Sequence, residues 1–438
     1  MVKRSFDLKA TALPSLLTTR QVTARSNAQV GIRPNRERLM HSLAEMAAIG
    51  LQPDGSVCRR GFSTEDVAGR ALLARWMNEA GLQVRIDTAG NLIGRLQGLD
   101  PDRPALMTGS HLDTVPTGGR FDGVLGVLAG LEVCRSLQDN RIRLQHDLEL
   151  IAFADEESTM VGCKGMAGTA PCDPKAFATS NREPIEDNLA RIGGHWPSLA
   201  SARRADDACA AFLELHVEQG GVLEQRGDAI GVVEGVVGQR RFSIQVDGQP
   251  NHAGTTPMTL RQDALVAASR IVLAVETMAR QHPGDPVATV GRLEVWPNAA
   301  NVVPGSVALT VDLRDVDSVV LDQLVAELMQ QVERIGAETG CPIQLEPQFE
   351  VEPTAAADGV MAAIVSAAEH LGLSHSHLPS RASHDAQEIG RRWPMGMIFV
   401  PSRGGLSHSA KEFTSDEQCW AGAAVLLETL QRLDRELP

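Results

Sequence analysis

No stretch of this 438-residue chain stays apolar for the ~20 residues that crossing a bilayer demands, so nothing in it reads as a membrane span. Positive charge is scarce as well. The 41 Lys and Arg are outnumbered by 55 Asp and Glu, and the formal net charge of −14 argues against a nucleic-acid partner and for plain solubility. Seven cysteines, an odd number with no C-x-x-C, exclude a disulfide framework and imply a reducing compartment, here the cytoplasm. The first 38 residues are Arg-rich and acid-poor but have no hydrophobic centre, which excludes a secretory signal. A transit peptide has a similar composition. The reading adopted is a frayed N-terminal extension over residues 1–33. The length exceeds one ordinary core and suggests two domains.

What is present is organised around Thr108-Gly-Ser-His-Leu-Asp-Thr-Val-Pro-Thr-Gly-Gly-Arg-Phe-Asp-Gly123. Ala105, Leu106 and Met107 lead in as a strand. Val124, Val127, Leu128 and Leu131 follow at helical spacing. His111 and Asp113 therefore stand where a strand ends, and Asp122 where a helix begins. In an open α/β sheet ligands bind at the carboxyl ends of strands. Three further strand–loop units deliver similar residues: Asp147–Ala154 ends in Asp155-Glu156-Glu157, Phe212–Gly220 carries His216, Glu218 and Gln219, and Met397–Val400 leads to His408. Adjacent carboxylates after a buried strand repel unless something positive holds them, so one suits a metal and the other a general base. Mixed nitrogen and oxygen donors suit Zn²⁺, Mn²⁺ or Co²⁺, and five ligands with one shared carboxylate would make a two-metal site.

Elsewhere the patterning predicts helices over 34–49 and over 63–81, with Ser63 as N-cap, and a hairpin from Leu82–Ile86 and Gly90–Gly94. Residues 170–205 lack a period and read as a long loop or short helices lining a substrate entrance. Near Gln239 the rhythm changes to alternation. Strands at 242–246, 287–295, 306–314 and 342–351, with helices at 257–281 and 317–339, give the split β-α-β-β-α-β of a ferredoxin-like sandwich. It interrupts the metal-site pieces and so reads as an inserted domain over 238–351, splitting the domain formed by 34–237 and 352–438. A helix over 358–371 follows, and a final one capped by Thr414 and Glu417.

The order His111-x-Asp113, Asp122-Gly, Glu156-Glu157, His216 and His408 resembles the dinuclear metallohydrolases of the aminoacylase and carboxypeptidase type. Within them it is most similar to the N-carbamoyl-L-amino-acid hydrolase, allantoate amidohydrolase and β-ureidopropionase branch. The motifs that carry this are Gly109-Ser-His-Leu-Asp-Thr-Val115, Gly118-Gly-Arg-Phe-Asp-Gly-Val-Leu-Gly-Val127, Glu214-Leu-His-Val-Glu-Gln-Gly220, Asn251-His-Ala-Gly-Thr-Thr-Pro-Met258, Asn301-Val-Val-Pro304, Asp312-Leu-Arg314, His384-Asp-Ala386 and Ser407-His-Ser409.

The resemblance implies a mixed-sheet α/β/α catalytic domain of the zinc-exopeptidase type with a lid and dimerisation domain. It implies two divalent ions per subunit on His111, Asp122, Glu157, His216 and His408, with Asp122 as the bridge. Asp113 would orient His111, and Glu156 would serve as the general base. Gln219, Asn301, Arg314, Arg381, Ser383 and His384 would line the substrate, Arg314 taking an α-carboxylate. His252 would reach the neighbouring subunit's site and polarise the scissile carbonyl, which implies a homodimer. The activity implied is hydrolysis of an N-carbamoyl-L-amino acid or related ureido acid to ammonia, CO₂ and the amine. Alternatives are an allantoate-type amidohydrolase, an aminoacylase or peptidase on N-acyl amino acids, and a non-catalytic metal-binding sensor. Two departures bear on substrate. After the acid pair the family usually has Gly-Ser-Arg where this chain has Ser158-Thr-Met160, so Met160 replaces an Arg, and Arg381 and Ser383 stand where the family usually has glycines.

Overall fold

The apolar runs that end at His111, Phe153, Val217 and Val400 are the four central strands of one mixed sheet in the computed structural model, which describes residues 31–438. Residues 1–30, most of the expected N-terminal extension, lie outside the described residues. The sheet has nine strands, in the order Gln83–Ile86, Leu92–Leu96, Leu148–Phe153, Ala105–His111, Cys209–Val217, Met395–Val400, Ile230–Val236 and Thr354–Ala355. His375–Ser380 pairs alongside Ile230–Val236. The central four are mutually parallel, with His111 opposite Phe153 and Phe399 opposite His216. Buried on both faces, they are apolar almost throughout rather than alternating. Because they are parallel, all four carboxyl ends open on the same edge of the sheet.

Each face has its own cover. Met107, Ile151, Phe153, Phe212, Met397 and Phe399 pack with Cys163, Met166, Ile389 and Trp393. Residues of the other parity, Thr108 and Ser110, meet the helix Val124–Asp139. There Gly126 has no room for a side chain, since a Cβ would come 2.3 Å from the Leu215 carbonyl oxygen. The helix Asp416–Glu436 packs beside it. The mixed α/β class expected from the sequence is the class found.

Residues 238–351 build a second, antiparallel sheet in the order Ile343–Val351, Gly238–Asp247, Ser306–Asp315, Val287–Trp296. The helices Ala264–Gln281 and Ser318–Thr339 cover it. The strands alternate as predicted, and Phe242, Ile244, Val307, Leu309 and Val311 join Ile271, Leu321, Leu324 and Leu328 in a core of their own.

Several boundaries differ from the sequence reading. The helix expected from Pro257 begins at Ala264, because Asp263 accepts the N–H groups of Leu265 and Val266 and so fixes the cap. The last helix is capped by Ser415 and Gln418, one residue later than expected, since the Thr414 hydroxyl is committed to the Pro401 carbonyl. Residues 170–205 form short helices that pack Phe177, Ile185, Leu189 and Leu199 onto Phe62, Ala89 and Val161. That segment is a packed satellite of the core, and its residues do not line the cavity beside the metal cluster described below. The strand His375–Ser380 and the short helix Asp385–Ile389 escaped the pattern, the first because four of its six residues are His or Ser and one is Pro.

Candidate metal centre

The four parallel strand ends bring the predicted ligands together. His111 is the last residue of its strand, Glu156 and Glu157 follow Phe153 within four residues, and His216 lies one residue before its strand ends. His408 comes on the loop after Met395–Val400. Asp122 arrives from the helix side. Gly123 behind it adopts φ +66°, and a Cβ there would strike the His111 ring at 2.4 Å, so the Asp122 turn depends on glycine. Asp155, Gln219 and His408 also sit at positive φ (54°, 57° and 52°), a backbone conformation that non-glycine residues seldom adopt and that concentrates at functional sites.

Asp122 is the centre of the cluster. Its Oδ1 lies 3.1 Å from His216 Nε2 and 3.7 Å from His111 Nε2, and its Oδ2 lies 3.2 Å from His408 Nε2. Glu157 Oε2 is 3.7 Å from the same His408 nitrogen, and Glu156 Oε2 is 3.6 Å from His111 Nε2. One carboxylate thus presents a different oxygen to each of two groups, His111 with His216 and His408 with Glu157. Both buried imidazoles are oriented by main chain. His111 Nδ1 is 2.9 Å from the Asp113 carbonyl and His216 Nδ1 is 2.8 Å from the Val217 carbonyl, which turns each Nε2 lone pair inward. The Asp113 carboxylate itself is 3.9 Å from His111 Nδ1 and instead accepts the N–H groups of Glu156 and Glu157 at 3.3 and 3.1 Å.

The electrostatics ask for a cation. Burial pushes Glu156 well above the usual carboxylate range, with Glu157, Asp385 and Asp113 adding to the shift against His111. Burial likewise pushes Glu157 up to about 7, with Asp122 and Asp113 adding and the imidazoles opposing. Burial would lower His111, yet Glu156, Asp113, Glu157 and Asp122 carry it well above its ordinary value. Asp122 goes the other way, held low against its burial by hydrogen bonds to His216 and His408. Neither Lys nor Arg pairs with any of these carboxylates among the described residues. Inward-facing imidazole nitrogens and carboxylate oxygens within 4.8 Å of one another fit a divalent cation in each group.

Other predicted residues lie at varying distances from this centre. Gln219 Nε2 donates to Asp122 Oδ2 at 2.9 Å, while its Oε1 is buried without a partner. His384 is buried edge-on against His216, ring centroids 4.5 Å apart, with an unpartnered Nε2 and a pKa driven well down by burial and by His216. Arg314 and Arg381 line a cavity of about 530 Å³ with Gln219, Arg226 and His377. Arg314 donates to Asp312 at 2.8 Å and to the Arg381 carbonyl at 2.9 Å, and Arg381 pairs with Asp285 at 2.6 Å. Ser383 is exposed and outside that lining. His252 and Asn301 are exposed on adjoining short strands and loop, also outside it, and the His252 Nδ1 accepts the N–H groups of Gly254 and Thr255. Met160 turns toward the core and packs there.

Glu412 is a residue the sequence reading missed. Buried, it accepts the Phe121 and Asp122 N–H groups on Oε1 at 2.9 and 3.2 Å, and Ser407 donates to both its Oε2 and Asp122 Oδ2. The signal available was a single acid in the loop that carries His408. Glu214, which takes the Ser110 hydroxyl at 2.6 Å and the Ala386 N–H at 2.9 Å behind the cluster, was masked by the apolar residues around it.

Comparison with known proteins identifies the family. The family model described as Peptidase family M20/M25/M40 matches residues 107–432. An N-carbamoyl-L-amino acid amidohydrolase of Geobacillus stearothermophilus is 40% identical over 404 residues, which is 91% of this chain and 98% of the relative. An allantoate amidohydrolase of Bacillus subtilis (strain 168) is 35% identical, over 89% of this chain and 95% of the relative. The crystal structure of a hydantoinase/carbamoylase family amidase from Burkholderia multivorans is similar at TM-score 0.87 and 40% identity, covering 93% of this chain and 100% of that one. With its ligand-type residues converged on four parallel strand ends and a family match over most of its length, the chain belongs to Peptidase family M20/M25/M40.

Proposed function

We propose that the chain is a dinuclear metal-dependent amidohydrolase that cleaves the ureido C–N bond of an N-carbamoyl-L-amino acid or a closely related ureido acid. The observation that carries this is Asp122, whose two oxygens face two separate ligand groups while Glu156, 3.6 Å from His111, stands beside them. When bound, two divalent ions (Zn²⁺, Mn²⁺ or Co²⁺) supply Lewis acidity and lower the pKa of water at the site. Glu156 takes a proton from the attacking water and returns it to the departing nitrogen. The C–N bond to the terminal nitrogen breaks and ammonia leaves. The remaining N-carboxy amine loses CO₂ to give the free amine. Gln219 and Arg314 bind the acid end of the substrate from the adjoining cavity, and its α-carboxylate matches the planar guanidinium fork.

Residues 238–351 act, on this reading, as a lid and dimerisation domain on a catalytic domain made of 34–237 and 352–438. Support comes from the edge strand Val287–Trp296, which exposes Leu293 and Trp296, and from Val266 and Leu273 exposed on the neighbouring helix. A homodimer through that face leaves His252 free to reach a partner's site. All seven cysteines are unpaired, which suits the cytoplasm.

The test is ammonia release by protein reconstituted separately with Mn²⁺, Zn²⁺ and Co²⁺. The panel holds N-carbamoyl-L-amino acids, allantoate, β-ureidopropionate and simple N-acyl amino acids. Metal-dependent ammonia from one ureido acid is the expected result. A freed acid from N-acyl compounds without ammonia would move the chemistry to deacylation, and silence across the panel would overturn the proposal.

A further inference from the structure

Directly behind the metal cluster lies a buried cation that the reaction does not use. Arg59 is wholly buried, and no carboxylate among the described residues pairs with it. Its Nε donates to the Leu112 carbonyl at 2.8 Å, the peptide between His111 and Asp113. Its Nη1 donates to the Met46 and Ile49 carbonyls at 3.0 and 2.8 Å, closing the end of the helix Arg36–Ala47. One guanidinium therefore ties a helix terminus to the strand end that carries the first predicted ligand.

The backbone around Arg59 grips the same loop. Val57 and Gly118 exchange both of their N–H bonds, at 2.9 and 3.0 Å. The Thr114 N–H donates to the Arg59 carbonyl at 2.9 Å, and the Arg59 N–H donates to the Thr114 hydroxyl at 2.9 Å. Residues 57–59 thus form a short ladder along 114–118, the stretch that links Asp113 to Asp122. Two residues further on, Gly61 lies against Asp155, where a Cβ would meet the carboxylate at 1.9 Å. The segment passes beneath the acid pair as well.

An unpaired guanidinium is costly to bury, and burial pulls this one down to about 10 against the pull of Asp66 and Asp113. The hydrogen-bond pattern supplies a reason for it. Asp113 follows directly on the Leu112 carbonyl that Arg59 holds, and its carboxylate accepts the Glu156 and Glu157 N–H groups. We infer that Arg59 is a positioning residue for the metal centre, fixing the Leu112 carbonyl between His111 and Asp113 directly and the backbone of Glu156 and Glu157 through Asp113. It precedes residue 107, where the family match begins, so the N-terminal segment contributes to the site without offering a ligand. This rests on the metal reading above.

The experiment titrates the metal-free full chain with Co²⁺ alone and follows visible absorption, comparing wild type with Arg59→Lys, Arg59→Met and a control, Arg38→Met. Arg38 anchors the same helix through buried Glu132, away from the cluster. Residues that orient metal ligands typically affect metal affinity by about 10–100-fold. The expected result is a Co²⁺ affinity about 100-fold weaker in Arg59→Met and about tenfold weaker in Arg59→Lys, with a changed absorption band. Arg38→Met should melt earlier yet keep the wild-type Co²⁺ curve. If Arg59→Met does not fold, Arg59→Lys carries the test, since it keeps the charge and loses only the fork. Arg59 variants that bind Co²⁺ with wild-type affinity and band, and merely melt earlier, would overturn the inference. A wild-type chain that takes up no Co²⁺ would overturn the metal reading itself.

Discussion

His216 and His252 both stand at strand ends, and their surroundings differ in every respect that matters to chemistry. His216 is buried, its Nδ1 spent on the Val217 carbonyl and its Nε2 held 3.1 Å from Asp122. His252 is exposed, with its Nδ1 occupied by a tight local turn and its Nε2 without a partner among the described residues. The same contrast separates the two sheets. The parallel sheet aims its donors inward and fixes them by main-chain bonds before anything binds. His252 lies on the separate two-stranded pairing with Val302–Val303, where its side chain is open to solvent. Preorganisation is a property of the candidate metal cluster, which main-chain bonds hold in place.

The sharpest way to probe the preorganised half is Glu156→Gln, which keeps the shape and removes the base. Turnover should fall by about 10²–10⁴-fold while Co²⁺ uptake stays at the wild-type level. A variant that retains activity would remove Glu156 from its role. Next in size is His252→Ala on the exposed half. Removing one donor to a developing oxyanion costs on the order of 10²–10³ in kcat, so a loss of that size with unchanged Co²⁺ uptake is expected. Mixing His252→Ala with a Glu156→Gln chain sharpens the comparison. If His252 serves the partner's site, the mixture regains activity that neither variant shows alone.

Arg314→Lys comes third. Lysine keeps the charge but not the planar fork, so KM for an α-carboxylate substrate should rise about 10–100-fold with a smaller change in kcat. A loss confined to kcat would mean that Arg314 acts on the reacting centre and not on the acid end.

The two halves also differ in how far they could be read from residues alone. The cluster was legible because His111, Glu156, Glu157, His216 and His408 come at or after apolar runs long enough to be buried strands, because Asp122 precedes a helix, and because the motif order matched a family. The small sheet was legible for a different reason: its period-two alternation over Ser306–Asp315 is unbroken. What escaped depends on distance in sequence. Glu412 reaches Asp122 across 290 residues and Arg59 reaches Leu112 across 53, contacts that no local pattern encodes. The caps misread by one residue or more are Asp263, which the local bonds to Leu265 and Val266 select, and Ser415, which wins because a tertiary bond commits the Thr414 hydroxyl to Pro401.

The smallest effect concerns the place where the two sheets meet. Arg381 donates to Asp285 at 2.6 Å from the loop after His375–Ser380, and Asp285 is 94% exposed. Exposed ion pairs contribute about 0–1 kcal/mol, so Asp285→Asn should leave the denaturant midpoint almost unchanged. The pair also forms part of the wall of the cavity that holds Gln219 and Arg314. Removing the Asp285 charge, while Arg381 keeps its bond to the Asp285 main-chain carbonyl at 2.8 Å, should therefore alter KM for an acidic ureido substrate more than it alters stability. A stability loss well above 1 kcal/mol would show that the small sheet is fastened to the large one through this contact, and it would weaken the view that residues 238–351 close over substrate as a mobile unit.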